Sequence, residues 1–355
     1  MGGRALEVYG AQRVDKTLYI TLRKEVLQHL GAMCPDYHGF VEIPSYGAKS
    51  TFGDLDILYT NPYPDMRQDL IEAFPGPHFS NGNCLSVLYK NLQVDLIYMA
   101  PEDYHTAFTY YAYNDLGNLM GKIAHKFGLK YGHKGLTMVL REDDKAEHKF
   151  GEIIISKNMS KIFDFLGFDY AVWFEGFHTL DDIFSFVVQS PYFSPELFSF
   201  ENMNNTARVR DKKRATYNAF LEYIKNLPAG GMDWNKDKSV YIDEIFSFFP
   251  EAWGTYKTEV YKFNQYKAIK AKFNGDLVRT WLKDEFENGV VYKLPVVEGK
   301  ELGDFIKSFI KSIGDTFFDG FNNWVESTPE EQIIKVVVDE YNYWYNCERK
   351  KLIVV

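Results

Sequence analysis

Cysteine is scarce in this chain: three residues, Cys34, Cys84 and Cys347, stand far apart. They offer neither a disulfide framework nor the spacing of a structural zinc site, and a reducing, cytoplasmic setting is expected. The eight histidines show no metal-ligand spacing either. No apolar run reaches membrane-spanning length and the N-terminus lacks the apolar stretch of a signal peptide, so no membrane partner is expected. Internal repeats and low-complexity tracts are missing. So are a Walker loop and a Gly-x-Ser-x-Gly elbow, the signatures of P-loop and serine-hydrolase chemistry. Positive charge is not in excess: 40 Lys and Arg against 49 Asp and Glu give a net charge of −9. Any contact with nucleic acid therefore needs a local basic surface. What is abundant is aromatic, with 29 Phe and 25 Tyr; most belong in a core, and some Tyr are available to stack on bases. At 355 residues the chain is long enough for roughly two or three domains.

The most informative stretch runs from Ser45 to Ile57. Asp54 to Tyr59 alternates polar and apolar residues and reads as a strand. Alternation puts Asp54 and Asp56 on one face. Adjacent carboxylates repel, and a cation between them removes that cost. Mg²⁺ suits the place, since it takes carboxylate oxygens and keeps positions for water and phosphate. Residues 83–89 and 92–99 read as two strands of a hairpin closed by Lys90-Asn91. In the second, Gln93, Asp95 and Ile97 share a face. Asp54, Asp56 and Asp95 on neighbouring strands, behind a small-residue turn, make a constellation for two Mg²⁺ ions, with Mn²⁺ able to substitute. One ion would activate a hydroxyl; the other would hold a triphosphate and the leaving pyrophosphate. An exposed strand face that happens to carry acids is the alternative.

Ser45 to Pro62 resembles the palm motif of the DNA polymerase β-like nucleotidyltransferase superfamily, a Gly-Ser turn followed by Asp-x-Asp. Gly47-Ala48-Lys49-Ser50-Thr51-Phe52-Gly53-Asp54-Leu55-Asp56 is similar to the Gly-Ala-x-Ser-Ser-Gly-Asp-x-Asp segment of family X polymerases. Val94-Asp95-Leu96 looks like the strand bearing the third metal ligand of that superfamily. Tyr110 to Asn118 is similar to the nucleotide-selecting Tyr-Phe-x-Gly-Ser-x-x-x-Asn segment. The resemblance covers residues 20–142 of 355. It implies Asp54, Asp56 and Asp95 as catalytic metal ligands. It implies Ser45, Gly47, Lys49 and Ser50 around the triphosphate, and Tyr110, Tyr111, Asp115 and Asn118 beside the incoming nucleotide. There are departures. Pro44-Ser45 stands where the family has Gly-Ser, and proline has no N–H for a phosphate. The turn lacks the family X arginine, and Tyr113-Asn114 replaces a small Gly-Ser pair. Asn114 or Asp115 would equally serve as a helix cap. Residues 295–302 are faintly similar to the C-terminal body of CCA-adding enzymes and bacterial poly(A) polymerases.

The remaining pattern sets the organisation. Asp15 to Met33 reads as an amphipathic helix with Leu18, Ile20, Leu22, Val26, Leu27 and Leu30 as its apolar residues. Helices are expected at 66–74 and within 104–128, a strand at 136–141, and a partner strand at 153–155. Phe-rich helices follow at 160–167, 178–190 and 205–227, then 240–249, 254–273, 277–287, 302–312 and 329–345. The expected fold class is α+β: a nucleotidyltransferase palm, a small mixed sheet with helices, followed by a mostly α-helical C-terminal region. The expected domains are 1–150, 151–228 and 229–355, with Ala229-Gly230-Gly231 as a linker and a charged stretch at 142–149. Arg208 to Tyr217 is the strongest basic cluster. On one helix, Arg210, Lys213, Arg214 and Tyr217 would share a flank. Arg208, Arg210, Lys213 and Arg214 are thus candidate nucleic-acid contacts, with a salt-bridged helix face as the alternative. A second basic stretch, Lys257 to Lys272, is interleaved with Tyr256, Tyr261 and Tyr266. His125 and His133, among Lys122 to Lys134, are candidates to touch phosphate.

The lyase and helix-hairpin-helix elements of repair polymerases find no room before residue 20. The expected activity is therefore untemplated transfer of a nucleoside monophosphate from an NTP to a 3′-hydroxyl of nucleic acid, RNA or tRNA favoured, with release of pyrophosphate. Asp95 would also act as, or orient, the base for that hydroxyl. The alternatives are a template-directed family X-like DNA polymerase, transfer to a small molecule or a protein, and a binding protein that keeps the palm without turnover.

Overall fold

The computed structural model describes residues 5–37, 39–60, 63–141, 149–227, 230–288, 294–316 and 320–348. The charged stretch at 142–148 and the boundary at residue 228 lie outside the described residues. The chain divides into two compact units, 1–256 and 257–355.

In the first unit, β1 (Val14–Asp15) leads into α1 (Lys16–Met33), whose N-terminus is capped by Asp15 accepting from the Leu18 amide. Tyr19, Leu22, Val26 and Leu30 form its buried row. Leu18 and Ile20, expected on the apolar face, are exposed. They sit about 100° to either side of Tyr19 on the helix, outside the row that Tyr19 starts. The chain continues through β2 (Val41–Glu42), β3 (Thr51–Phe52), β4 (Asp54–Tyr59), α2 (Met66–Ala73), β5 (His78–Asn81), β6 (Cys84–Tyr89) and β7 (Leu92–Tyr98). Five of these strands form a mixed sheet in the order β2-β4-β7-β6-β5, with β4 and β7 parallel. The hairpin expected at Lys90-Asn91 closes β6 onto β7.

The two sheet faces differ. Leu55, Ile57, Val94, Leu96, Leu85 and Val87 pack with Leu22, Val26 and Leu30 of α1 and Met66 and Leu70 of α2. Each such buried side chain contributes roughly 1.5–3 kcal/mol, enough for the opposite face to tolerate a cluster of acids. That face carries Asp54, Asp56 and Asp95. At its far end Leu58 and Ile97 pack with Ile43, Met99 and Ala107, the last from α3 (Tyr104–Tyr111).

α4 (Leu116–Lys126) precedes an antiparallel sheet of β8 (Leu129–Gly132), β9 (Gly135–Arg141) and β10 (Lys149–Ser156). Ile153 pairs with Met138 there, as expected for this segment. α5 (Met159–Phe165), α6 (Tyr170–Glu175), α7 (Leu180–Val188), α8 (Asn205–Lys212), α9 (Ala215–Lys225) and α10 (Ile242–Phe248) follow. One apolar core runs from Ala112 to Ala252. It includes residues on both sides of positions 150 and 228, because the Phe-rich helices bury their faces against α4 and the second sheet as well as against one another.

The second unit holds most of α11 (Trp253–Lys272) with α12 (Gly275–Phe286), α13 (Gly299–Thr316), α14 (Gly320–Ser327) and α15 (Glu330–Tyr343). Phe273, Leu282, Phe305, Phe309, Val325, Ile333, Val337 and Tyr341 form its core. The Tyr341 hydroxyl accepts from the Val297 amide and donates to the Pro295 carbonyl, tying residues 295–297 to α15. Of the twenty residues of α11 only Ile269 is buried; Lys257, Lys262, Lys267, Lys270, Tyr261 and Tyr266 are exposed, while Lys272 is half-buried and donates to the Glu326 carbonyl. Among the described residues no helix is long and apolar enough to cross a membrane. The fold is mixed α+β, with a mixed five-stranded sheet and a helical C-terminal region.

Candidate metal and nucleotide site

Parallel pairing of β4 with β7 sets Asp54 against Gln93 and Asp56 against Asp95. One carboxylate oxygen from each of Asp54, Asp56 and Asp95 lies within 4.8 Å of the others. The expected triad is therefore assembled. Asp54 and Asp56 are half-buried and Asp95 is buried. Asp95 Oδ1 accepts from Ser86 Oγ at 2.6 Å and from Gln93 Nε2 at 2.9 Å. Among the described residues, Asp56 Oδ1 is buried without a hydrogen-bond partner. Burial pushes the Asp56 carboxyl well above the usual aspartate range, and the charges of Asp54 and Asp95 push it further. Burial raises Asp95 as well, and the hydrogen bonds from Ser86 and Gln93 only partly oppose it.

Three carboxylates and one orphaned buried oxygen are a donor set for a hard divalent cation such as Mg²⁺. The neighbouring sulfur does not alter that match. Burial and the charge of Asp95 push the Cys84 thiol up to about 12, which disfavours its thiolate beside the carboxylates.

The raised carboxyls give a pH dependence with a defined sign. Above the ordinary aspartate range, the folded chain still holds protons that the unfolded chain has released. Metal-free stability therefore falls as pH rises through that window. A cation must displace those protons, so its binding tightens as pH rises. Mg²⁺ at about a hundred times its Kd should add about 2.7 kcal/mol of stability. The rise in melting temperature should be larger at about pH 8 than at about pH 5. Calorimetric scans with and without Mg²⁺ check this, and an equal shift at both pH values would contradict it.

The turn before the triad is held from several sides. β2 pairs antiparallel with β4, and the Ile43 amide donates to the Asp56 carbonyl, so the chain runs on toward the Asp54 end. The Ser45 hydroxyl donates to Asn114 Oδ1 at 3.0 Å. The Gly47 amide donates to the Phe177 carbonyl and the Ala48 amide to that of His178. Gly47 is thus part of a bridge to 177–178, and its N–H is not free for a phosphate as the resemblance implied. A Cβ on Gly47 would lie 3.0 Å from His178 Nδ1, so a larger residue would push that ring aside. Lys49 is half-buried, with its ammonium 4.7 Å above the Phe52 ring. Burial pushes its pKa down while the charges of Asp54 and Asp56 oppose the shift. Ser50 is exposed, and its carbonyl accepts from the Lys16 amide.

Two cations here escaped sequence reasoning. Lys16 Nζ donates to the Gly47 carbonyl at 2.7 Å, and Arg13 Nη2 to the Thr51 carbonyl at 3.0 Å. The Arg13 guanidinium also lies 3.0 Å from where a Cβ on Gly53 would sit, next to Asp54. Arg13, Lys16 and Lys49 therefore rim the turn. The pairing of β1 with β3 brings the first two there, and no local spacing announces it.

The segment between α3 and α4 joins this turn. Tyr113 and Asn114 both have left-handed backbone, with φ of 57° and 63°, unfavourable for a bulky tyrosine. The Tyr113 amide donates to the Pro44 carbonyl, and its ring packs against Phe177 and Trp173. The pair that replaces the family's small residues thus clamps the turn. Tyr110 and Tyr111 are half-buried, their ring centroids 5.3 Å apart. Tyr110 also packs on Tyr131, and Tyr111 lies parallel to His133. Burial pushes His125 down to about 4, which keeps it neutral.

Asp115 accepts from Arg214 Nη1, and Asn118 Oδ1 accepts from Arg210 Nη2 at 2.9 Å. Asp115 makes no side-chain cap on α4. Two residue sets kept apart in sequence, the candidate nucleotide contacts and the candidate nucleic-acid contacts, meet here. The single helix expected over 208–217 is broken: α8 ends at Lys212 and α9 begins at Ala215. Asp211, wholly buried in the last turn of α8, pairs with Arg210 at 2.7 Å and Lys122 at 2.8 Å. Tyr217 is buried, with its hydroxyl donating to the Phe198 carbonyl. Arg208 donates to the Met203 carbonyl, and Lys213 is exposed. The expected common flank does not form; Arg210 and Arg214 belong to an ion-pair network. A scan against models of known protein families finds no match, and no curated protein sequence matches the chain.

Proposed function

We propose that this chain is a metal-dependent nucleotidyltransferase, with the five-stranded sheet as a polymerase β-like palm. One observation carries it: three carboxylates converge from two parallel strands, and among the described residues a buried oxygen of one of them, Asp56 Oδ1, has no partner. Asp54, Asp56 and Asp95 would hold two Mg²⁺ ions, or Mn²⁺ in their place. When bound, the metal supplies charge to lower the pKa of an attacking hydroxyl and to stabilise a leaving pyrophosphate. The acceptor oxygen forms a bond to the α-phosphorus of an NTP and the bond to pyrophosphate breaks. The hydroxyl proton passes to Asp95 or to water. Lys49, Arg13 and Lys16 surround the turn at which the triphosphate would lie, and the Ser45 hydroxyl would exchange Asn114 for a phosphate oxygen. Tyr110, Tyr111, Asp115 and Asn118 lie next in the chain, where the resemblance puts the nucleotide.

The acceptor in the first form of this reading is a 3′-hydroxyl of RNA or tRNA, extended without a template. A second form, transfer to a small molecule or protein, is favoured by the network around Asp211. Arg210 and Arg214 are ion-paired there, which leaves them less available to the phosphates of a nucleic acid. The test incubates the protein with Mg²⁺ or Mn²⁺, each labelled NTP and dNTP, and pools of tRNA, single-stranded RNA and primed DNA. Asp54→Ala/Asp56→Ala protein is the control. Label on one acceptor, lost in the control, supports the first form. Label confined to protein or small molecules supports the second. No metal-dependent turnover with any acceptor refutes both.

A further inference from the structure

We infer that Gln93 is a positioning residue, clamped by the backbone of the N-terminal segment, that leaves Asp95 one oxygen for the metal and the proton. This rests on the nucleotidyltransferase reading. Gln93 lies two residues before Asp95 on the acid face of β7, opposite Asp54, and is 1 % exposed. Both ends of its amide are engaged. Oε1 accepts from the Leu6 amide at 3.1 Å and Nε2 donates to Asp95 Oδ1 at 2.9 Å.

Those partners fix the orientation of the amide. A backbone N–H can only donate and an ionised carboxylate can only accept. Turning the amide over would set NH₂ against N–H and oxygen against oxygen. The Leu6 amide therefore determines that Gln93 points a donor at Asp95.

The Leu6 end is itself secured. Leu6 is fully buried, and its carbonyl accepts from the Tyr9 and Ala11 amides. The Gln12 amide donates to the Asn91 carbonyl, at the hairpin that opens β7. Residues 6–12 are thus fastened at both ends to the start of the strand that carries Asp95.

The consequence falls on Asp95. Oδ1 receives two donors, from Ser86 and Gln93, and its rotation is blocked. Oδ2 remains for a cation or a hydroxyl proton, so Asp95 serves as a one-oxygen ligand of fixed direction. An apolar residue at position 93 would fill the space and leave that direction unspecified. Hydrogen-bond partners of metal ligands commonly matter at this level.

The test compares wild type, Gln93→Leu, Gln93→Glu and Ser86→Ala by calorimetric titration with Mn²⁺, by kcat and KM for the NTP, and by melting temperature. Gln93→Leu should weaken Mn²⁺ binding about 10–100-fold and lower kcat, with KM for the NTP nearly unchanged. Gln93→Glu keeps the acceptor for Leu6 but turns the donor facing Asp95 into an acceptor. It should lose kcat as well, which a residue that merely anchors the N-terminal segment would not do. Ser86→Ala removes the other donor on the same oxygen and should weaken Mn²⁺ in the same direction, which keeps the test intact if position 93 variants misfold. Wild-type Mn²⁺ affinity and kcat in Gln93→Leu, or in Ser86→Ala where the former misfolds, would overturn the assignment while leaving the function standing. A wild-type protein that neither binds Mn²⁺ nor turns over refutes the function, and this assignment with it.

Discussion

Asp95→Asn should abolish nucleotidyl transfer while leaving the protein folded. The loss should be about a thousandfold or more: each 1.4 kcal/mol is about tenfold in rate, and a missing metal charge clamp removes several kcal/mol. Asparagine has the shape of aspartate, and its carbonyl oxygen can accept from both Ser86 and Gln93 as Asp95 Oδ1 does. The packing and the strand pairing with Asp56 then remain. What disappears is the anionic Oδ2, the group available to a cation or a hydroxyl proton. Asp56→Asn should lose activity to a similar extent. It should also raise the melting temperature of the metal-free protein, because it removes the carboxyl that burial and two neighbouring charges disfavour most. On the proposed function that gain should shrink when Mg²⁺ is present, since the wild type keeps all three carboxylates for the ion. Single-turnover label transfer and calorimetric scans read both effects. Normal turnover by Asp95→Asn would remove it from the metal site.

What was legible in the sequence tracks how local the cause is. The period-2 alternation of Asp54 to Tyr59 and of Leu92 to Tyr98 marks the acid-bearing faces, and the two-residue link at Lys90-Asn91 fixes the hairpin register. Those local facts mark the acid-bearing faces; the parallel pairing of β4 with β7 that brings the acids together is non-local. Gln93 was visible as a face-mate of Asp95, but its partnership needs Leu6, 87 residues away. Arg13 and Lys16 reach the turn only through strand pairing with Thr51 and Phe52. The Phe-rich stretches announce burial without saying against what, and the core they build holds residues on both sides of positions 150 and 228. Position 211 shows the limit most plainly. Ten mostly polar, helix-compatible residues read as one helix with a basic flank. The break after Lys212 accompanies the burial of Asp211 against Lys122, 89 residues earlier.

Asp211→Asn should destabilise the first unit by about 3–5 kcal/mol, the cost of breaking a buried ion network by removing one partner. Asp211 has no exposed surface, and the Lys122 side chain is only 14 % exposed. Burial pushes the Asp211 carboxyl up, yet Arg210 and Lys122 more than offset it and hold it below the usual aspartate range. Its contribution is therefore complete above that range and is lost as pH falls through the lowered value. Burial likewise pushes the Lys122 ammonium down, and Asp211 is what opposes the shift. Without that carboxylate a buried ammonium and a half-covered guanidinium face each other uncompensated. Asp211→Leu combined with Lys122→Met should cost less than the sum of the single changes, since the pair leaves together. Guanidinium unfolding of the two singles and the double measures the coupling. A single-variant loss below about 1 kcal/mol would mean that water reaches the network as at a surface pair. The network also bears on the site. Asp115 just before α4, and Asn118 and Lys122 on it, are each held by a residue from the break between α8 and α9 or beside it: Arg214, Arg210 and Asp211 in turn. Loss of Asp211 should thus loosen the candidate nucleotide contacts before the triad itself, raising KM for the NTP at temperatures where the fold survives.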